Sequence, residues 1–286
     1  MFSPFYKKAN DRSSADPEAH AAVNLALYNL KNPGGSWLGP AFGKRNGDLW
    51  ALTEGARVAR NRDKLTIGET TAQWLAGNLV IDINETTAPF ASRLRGKLIV
   101  RPSNIQNEVF TLDPAGRHIW SPLAPFGRID VTFQDPRLAW SGPAYLDHNA
   151  GDEPLARGFK GWNWSRVTTR EHTTVVYDVV HRDGGTHQIA RSFFAGGARE
   201  NRHGTPRTVQ LPKTRWQMDR SVRVLGDGDL KVAHTLEDTP FYSRSHLTGT
   251  LDGHAADGVH ESVDMDRFES PVVQAMLPYR MRRHRA

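Results

Sequence analysis

The 286-residue sequence contains no cysteine. This absence excludes disulfide bonds, metal sites built on thiolates and a cysteine nucleophile. A chain without cysteine suits a reducing compartment, and also a periplasm in which disulfides are optional. Any catalytic group must therefore come from the remaining side chains.

Long hydrophobic runs are absent as well. No stretch of the sequence approaches the roughly 18 apolar residues that a membrane-spanning helix requires. The first residues, MFSPFYKKAN, have no apolar core of the kind found in secretory signals. We therefore expect any association with a membrane to be peripheral.

Familiar catalytic motifs are also missing: the chain has no G-x-S-x-G, H-E-x-x-H, Walker loop or G-x-G-x-x-G. The spacing of His118, Asp147, His148 and Asp152 matches no standard set of metal ligands. The arginines are scattered, whereas a nucleic-acid surface would interleave them with exposed aromatic residues. We expect neither a metal site nor a nucleic-acid partner.

The chain is basic, with a formal net charge of +6 and a pI of about 9.7. Near the C-terminus, the apolar VVQAML is followed by Arg280, Arg282, Arg283 and Arg285. Two interpretations of these arginines remain open. They form a solvated tail, or they anchor the protein to anionic lipid head groups, at about 1 kcal/mol per arginine.

Short segments rich in β-branched residues dominate the chain. Examples are NLVIDINETTA, RIDVTFQD, TTVVYDVVHRDG and HQIARSFF, and most such segments end at Gly, Pro, Asn or Asp. A DGG sequence at residues 183–185 predicts a hairpin turn. Helical signals are confined to DPEAHAAVNLALYNL, whose apolar alternation also fits a strand, and to SPVVQAML. The pattern predicts an all-β protein with little helix, built from antiparallel barrels or sandwiches.

The strand segments are too numerous for one small barrel, which predicts two β-domains joined near GDEPLARGFKG. Hydrophobic residues make up 38% of the chain, enough for packed cores. We place an N-terminal β-domain at residues 1–155, a C-terminal β-domain at 156–270 and a basic C-terminal tail at 271–286.

Polar and aromatic residues cluster at four places, and residues two apart share one face of a strand. The clusters are RHIW with His118 and Trp120, AYLDHNAGDEP with Tyr145, Asp147 and Asn149, WNWSR with Trp162, Trp164 and Arg166, and the acidic ESVDMDRFESP. Each cluster also has a purely structural interpretation. A histidine beside a tryptophan is typical of a barrel rim, acids beside glycines form turns, tryptophans close barrel ends, and DMDRF starts a helix.

Six separated blocks of the sequence carry a family resemblance. They are AVNLALY, RHIWSPLAP, WSGPAYLDHNAGDEPLARGFKGWNWSR, YDVVHRDG, EDTPFYSRS and ESVDMDRFESPVVQAMLPYRM, and the likeness around them extends from about residue 2 to about residue 283. In this order they resemble the acyclic carotenoid 1,2-hydratases, also called hydroxyneurosporene synthases. The resemblance implies two lipocalin-like β-domains with a cavity for a long apolar ligand. It also implies cofactor-independent addition of water to the terminal C1–C2 double bond of an acyclic carotenoid such as neurosporene or lycopene.

The resemblance also implies the positions of the active-site residues. The family's histidine and tryptophan correspond to His118 and Trp120, and its tyrosine and acid correspond to Tyr145 and Asp147. We assign substrate binding to the side chains expected on the same strand faces, which are Trp162, Trp164 and Asn149.

The sequence departs from the family pattern at two places. Asn163 stands between the tryptophans where the family usually has an acid, so we assign no catalysis to it. The segment before Glu54 is looser than the family's compact version, which leaves the role of Glu54 open.

The residue types suit the implied reaction. Water adds to an isolated alkene only after a strong acid protonates C2, which leaves a tertiary cation at C1. A buried Asp147 stays protonated because desolvation raises a carboxyl pKa. Tyr145 is placed to hydrogen-bond this acid or polarise the water, and His118 to orient the water or return the proton. The π face of Trp120 is expected to stabilise the cation by about 2 kcal/mol.

Two other functions fit the same pattern. A lipocalin-like carrier would bind an apolar ligand without changing it, although it has no need for a buried acid. A terpenoid cyclase or isomerase would use the same cation but exclude water. For a hydro-lyase acting on a bilayer-dissolved carotenoid, we expect peripheral association with the cytoplasmic side of a photosynthetic membrane. The preferred carotenoid and the oligomeric state remain open.

Overall fold

Antiparallel strands make up most of the protein. A computed structural model describes residues 3–12, 14–29, 48–88, 91–194, 199–200, 206–279 and 281–283. Its strands are β1 (Ala22–Leu27), β2 (Leu49–Glu54), β3 (Val58–Asn61), β4 (Lys64–Ile67), β5 (Thr70–Leu75), β6 (Asn78–Thr86), β7 (Arg93–Pro102), β8 (Phe110–Thr111), β9 (His118–Asp135), β10 (Leu138–Gly151), β11 (Phe159–Thr168), β12 (His172–His181), β13 (Thr186–Phe194), β14 (Arg199–Glu200), β15 (Arg207–Gln210), β16 (Ser221–Val224), β17 (Gly228–Asp238), β18 (Tyr242–Leu251), β19 (His254–Asp264) and β20 (Arg282–Arg283). The short helices are α1 (Pro4–Asn10), α2 (Leu155–Gly158), α3 (Met265–Glu269) and α4 (Pro271–Met276), with 3₁₀ turns at Pro17–His20 and Leu277–Tyr279. The all-β prediction is confirmed.

Two large sheets organise the chain. An eight-stranded sheet has the order β10-β9-β7-β6-β5-β4-β3, with β8 paired to β9. A seven-stranded sheet has the order β14-β13-β12-β11-β19-β18-β17. The pairing changes from the first sheet to the second between Gly151 and Phe159. The division into domains at residue 155 stays a prediction.

The long strand β9 connects the two sheets. Its second half pairs with β7, from Gly127 to Asp135, inside the eight-stranded sheet. Its first half carries Trp120 into a core cluster with Phe159 and Tyr177 of the seven-stranded sheet. Each of these large aromatic side chains buries substantial apolar area in the cluster. Because the side chains come from both sheets, the cluster fixes the position of one sheet relative to the other.

A third, smaller sheet joins the two ends of the chain. Strand β1 pairs antiparallel with β2, and β20 pairs with β2 in parallel. The segment predicted as a basic tail is therefore folded where the structure describes it: α4 begins at a Ser270 cap, and Leu277 and Met281 are buried. Arg280, Arg285 and the loose segment at 30–47 lie outside the described residues.

Local sequence signals account for several elements. The hairpin predicted at residues 183–185 connects β12 to β13, and Gly184 has a φ of 91°, a left-handed conformation that favours glycine. The segment DPEAHAAVNLALYNL fitted both a helix and a strand, and it contains a short piece of each. Asp16 caps the 3₁₀ turn at Pro17–His20, and the alternating residues that follow form β1. Among the described residues, no helix has the length and apolar character needed to span a membrane.

Candidate active site

Asp147 lies on β10 and accepts two hydrogen bonds through one carboxylate oxygen. The indole Nε1 of Trp120 donates to its Oδ2 at 2.9 Å, and the hydroxyl of Tyr145 donates to the same atom at 3.2 Å. Three of the four residues assigned to catalysis from the sequence are therefore in direct contact. Trp120 comes from β9 and the other two from the neighbouring β10.

Irregular pairing of β9 with β10 shapes this contact. The register shifts between Ala144 and Leu146, and again between Leu146 and His148. Such bulges redirect side chains along a strand. Tyr145 and Asp147 share a face as predicted, but Asn149, two residues further, is exposed to solvent although it pairs with Trp120 in the register. Asn149 is thus not brought into the enclosed cluster around Asp147.

Burial controls the ionisation of the two groups. Desolvation is the main cause that raises the pKa of Asp147, and the charge of Glu261 raises it further, whereas the hydrogen bonds from Trp120 and Tyr145 lower it. Desolvation, followed by the charge of Asp147, raises the pKa of Tyr145 well above its ordinary value. The net effect favours a protonated carboxyl at Asp147 over a wider pH range than in water.

Trp120 holds the acid in position. Its side chain is fully buried, its ring stacks on Phe110 at 5.3 Å between centroids, and its edge meets Tyr177. The contact that the structure shows is the hydrogen bond from Trp120 to Asp147, which orients the carboxyl. The expectation that the π face of Trp120 stabilises a carbocation stays a prediction.

We expect Trp120→Phe to move the pH dependence of turnover. Phenylalanine retains an aromatic ring but removes the Nε1 donor, and that hydrogen bond lowers the pKa of Asp147. If activity requires the protonated acid, its loss with rising pH should therefore begin at higher pH in the variant. A matched Trp140→Phe variant, at an exposed position on β10, should keep the wild-type profile. An unchanged profile in Trp120→Phe would show that this hydrogen bond does not tune the acid.

His118 occupies a separate pocket of side chains. It is buried, its ring packs on Phe159 at 4.7 Å, and its Nε2 lies 3.5 Å from Oε1 of Glu153. The chain closes tightly over it, since a Cβ at Gly151 would lie only 2.5 Å from Nδ1. The backbone N–H of His118 donates to Asp113, and its Nε2 has no hydrogen-bond partner among the residues that the structure describes. Glu153 is mostly buried beside this histidine.

The two tryptophans of WNWSR pack near the aromatic residues that surround the acid. The ring of Trp164 lies 5.6 Å from that of Tyr145, and Trp162 meets Phe159 edge-on. The Nε1 atom of Trp164 is buried and has no hydrogen-bond partner among the residues that the structure describes. Asn163, between them, accepts a hydrogen bond from Ser262.

Sequence reasoning assigned no role to three neighbours of the acid. Arg166 lies over the ring of Tyr145, 5.5 Å from its centroid, and desolvation lowers the pKa of this guanidinium. Tyr177 is buried against Trp120. Glu261 lies opposite Trp164 in the pairing of β11 with β19. Arg166 and Glu261 belong to the WNWSR and ESVDMDRFESP clusters, and Tyr177 opens the block YDVVHRDG, but no spacing in the sequence connects these residues to Asp147.

Comparisons with known proteins identify the family. The family model described as carotenoid hydratase CrtC matches residues 1–286. The chain belongs to the carotenoid hydratase family. It is 44% identical to the acyclic carotenoid 1,2-hydratase of Thiocapsa roseopersicina over 99% of this chain and 67% of the relative. It is 40% identical to the enzyme of the same name from Rubrivivax gelatinosus, with the same coverage of both chains.

The solved structures support the fold alone. The chain resembles the crystal structure of an AttH protein (NE1406) from Nitrosomonas europaea, with a TM-score of 0.59 and 13% identity. The match covers 85% of this chain and 81% of that one. The predictions of a lipocalin-like β architecture and of a hydratase, an enzyme of the hydro-lyase class, are confirmed.

Proposed function

We propose that this carotenoid hydratase adds water to the terminal C1–C2 double bond of acyclic carotenoids such as neurosporene and lycopene, with Asp147 as the general acid. The observation that carries this proposal is the contact of Asp147 with Trp120 and Tyr145 in a setting that raises its pKa. A hydration of this kind needs an acid that stays neutral at working pH, and burial supplies one.

The reaction proceeds in two steps. The Asp147 carboxyl gives its proton to C2, and the alkene electrons form the new C–H bond and leave a tertiary cation at C1. A water oxygen then bonds to C1, and the proton released by that water restores the acid, directly or through solvent. Both hydrogen bonds of Asp147 enter at Oδ2, so Oδ1 is the oxygen that presents the proton.

The residues around Asp147 hold its carboxyl in position and do not themselves donate the proton. Trp120 and Tyr145 fix the orientation of the carboxyl, which matters because well-oriented reacting groups lower the barrier substantially. The indole of Trp164, in contact with Tyr145, offers an aromatic surface beside the acid where a cation would be stabilised by about 2 kcal/mol. His118 acts at a distance, by holding the start of β9 in place.

The experiment that tests the proposal is direct hydration of lycopene. The purified protein should convert lycopene in lipid vesicles to a product heavier by one water per reacting end, without added metal or cofactor, as measured by mass spectrometry. The control is the same assay with heat-inactivated protein. Recovery of unchanged or isomerised lycopene from active, folded protein would contradict the proposal.

We also infer peripheral membrane association. The substrate dissolves in the bilayer, and the C-terminal segment exposes the apolar Val272, the aromatic Tyr279 and the basic Arg283. Apolar side chains next to positive charge favour anionic lipid surfaces. The protein should sediment with anionic vesicles more than with neutral ones, and equal recovery in the supernatant with both would contradict this.

A further inference from the structure

A cavity of about 270 Å³ lies between the three-stranded sheet and the seven-stranded sheet. Ala22 and Leu52 line it from β1 and β2, and it is also lined by Phe241, just before β18, and by Tyr242, the first residue of β18. Leu277 belongs to the segment that leads to β20 and completes the apolar lining. The volume is close to the lower end of the range for small-molecule sites, about 300–1,000 Å³, so it suits one end of a long ligand.

A buried carboxylate closes one side of this cavity. Glu54 is fully buried on β2 and accepts hydrogen bonds from Ser3 and from Nδ1 of His20. All three residues line the cavity. The reaction assigned to Asp147 uses none of them. An ionised carboxylate has about four lone-pair positions, so Glu54 retains capacity to accept a further hydrogen bond.

A second polar group lines the facing wall. Arg244 lies 2.7 Å from Glu261 and 3.3 Å from Glu237. The hydroxyl of Tyr28 donates to Glu237 and accepts from Arg244. Arg244, Glu237 and Glu261 all line the cavity. The lining thus combines apolar side chains with a few convergent donors and acceptors, the composition typical of a site that fixes a ligand's orientation.

The cavity adjoins the acid site on one face of the seven-stranded sheet. Glu261 lines the cavity and lies opposite Trp164 in the register of β11 and β19. Trp164 contacts Tyr145, which is hydrogen-bonded to Asp147. Glu261 also contributes to the raised pKa of Asp147. A ligand that extends from Asp147 along this face of the sheet therefore reaches the cavity one strand further on.

We propose that this cavity binds the hydroxylated end group that hydration produces, an apolar isoprenoid unit carrying one tertiary alcohol. This inference rests on the proposed function. The apolar walls match the methyl-bearing chain end. The alcohol donates to a carboxylate such as Glu54 or Glu237 and accepts from Arg244. An unreacted alkene end has no group for these partners and leaves them facing hydrocarbon, which is unfavourable.

The test compares binding of two ligands without turnover. Lycopene and its 1-hydroxy derivative are titrated into the Asp147→Asn protein, and the circular dichroism induced in each achiral chromophore reports occupancy. We expect the hydroxylated ligand to bind about tenfold more tightly or better, as a hydrogen bond to a charged group provides. Equal affinities would overturn the proposal.

Substitutions that fill the cavity test whether the hydroxylated ligand binds there. In the same background, Ala22→Phe places a ring in the cavity, and Asn24→Phe does so from the exposed mouth, where folding tolerates the change better. Both should remove the preference for the hydroxylated ligand. The matched control, Val23→Phe, adds a ring on the other face of β1, where Val23 lines a separate groove, and should retain it. A preference that survives both filling variants would place the hydroxyl elsewhere.

The two proposals fail separately. If the wild-type protein hydrates lycopene but the filling variants bind both ligands as the control does, the cavity proposal is wrong and the hydratase mechanism stands. If the wild type forms no hydroxylated product, yet the preference exists and disappears on filling, the cavity binds the alcohol and the proposed reaction is wrong.

Discussion

Asp147→Asn should lower the turnover number for lycopene hydration by about 10²–10⁴-fold, the contribution usual for a general acid. The amide cannot deliver a proton, but its oxygen can still accept from Trp120 and Tyr145, so the site should keep its shape. Lycopene binding should remain within about twofold of the wild type, because neither hydrogen bond depends on a proton transfer. Turnover is measured by product mass and binding by the induced circular dichroism of lycopene.

The stability of the same variant separates loss of chemistry from loss of fold. The pKa of Asp147 is raised in the folded protein, so the folded state binds a proton more tightly than the unfolded state. The wild-type free energy of unfolding therefore contains a contribution that is present below the unfolded pKa and is lost as pH rises towards the folded pKa. The amide that replaces the carboxyl does not titrate and has no such dependence. Relative to the wild type, the variant should become more stable as pH rises. If the variant is instead inactive because it is unfolded, the role of Asp147 is structural only.

Glu54→Ala should lower the free energy of unfolding by about 3–5 kcal/mol, the usual effect of removing one partner from a buried, hydrogen-bonded charged pair. Glu54 is fully buried, and its loss leaves Nδ1 of His20 and the hydroxyl of Ser3 without their acceptor. Ser3 also caps α1, so the first helix should loosen with it. Urea unfolding followed by tryptophan fluorescence gives the change.

Two controls distinguish the lost acceptor from lost volume. Glu54→Gln keeps an oxygen for one partner and should cost clearly less than Glu54→Ala. Glu69→Ala, at an exposed turn, should change stability by less than about 0.5 kcal/mol. If Glu54→Ala is no more destabilising than Glu69→Ala, the buried contacts of Glu54 with His20 and Ser3 do not hold the N-terminal segment.

The sequence predicted the strands well because their signal is local. Alternating apolar residues such as Leu79, Ile81 and Ile83 specify a strand and its buried face without reference to the rest of the chain. The turn at residues 183–185 and the cap at Ser270 are equally local. What the sequence did not predict is the return of the C-terminus to β2, because the parallel pairing of β20 depends on contacts between the two ends of the chain.

In the candidate site, too, local contacts were predictable from the sequence and tertiary contacts were not. Spacing and family resemblance together indicated Tyr145 and Asp147 as neighbours, and the structure places them in contact with Trp120. The exposure of Asn149 was not predicted, because alternation along β10 alone places it on the face of Tyr145 and Asp147. The position of His118 beside Glu153 depends on tight closure at Gly151, which is a tertiary property.

The central claim is that Asp147 is protonated when the enzyme works, and infrared spectroscopy of its carboxyl tests this most directly. A difference spectrum between wild type and Asp147→Asn isolates the carbonyl band of one protonated aspartic acid. We predict that this band is present at the pH of maximal hydration and disappears with rising pH together with the activity. A wild-type enzyme that hydrates lycopene at full rate while this band is absent, with Asp147 ionised, would contradict the account.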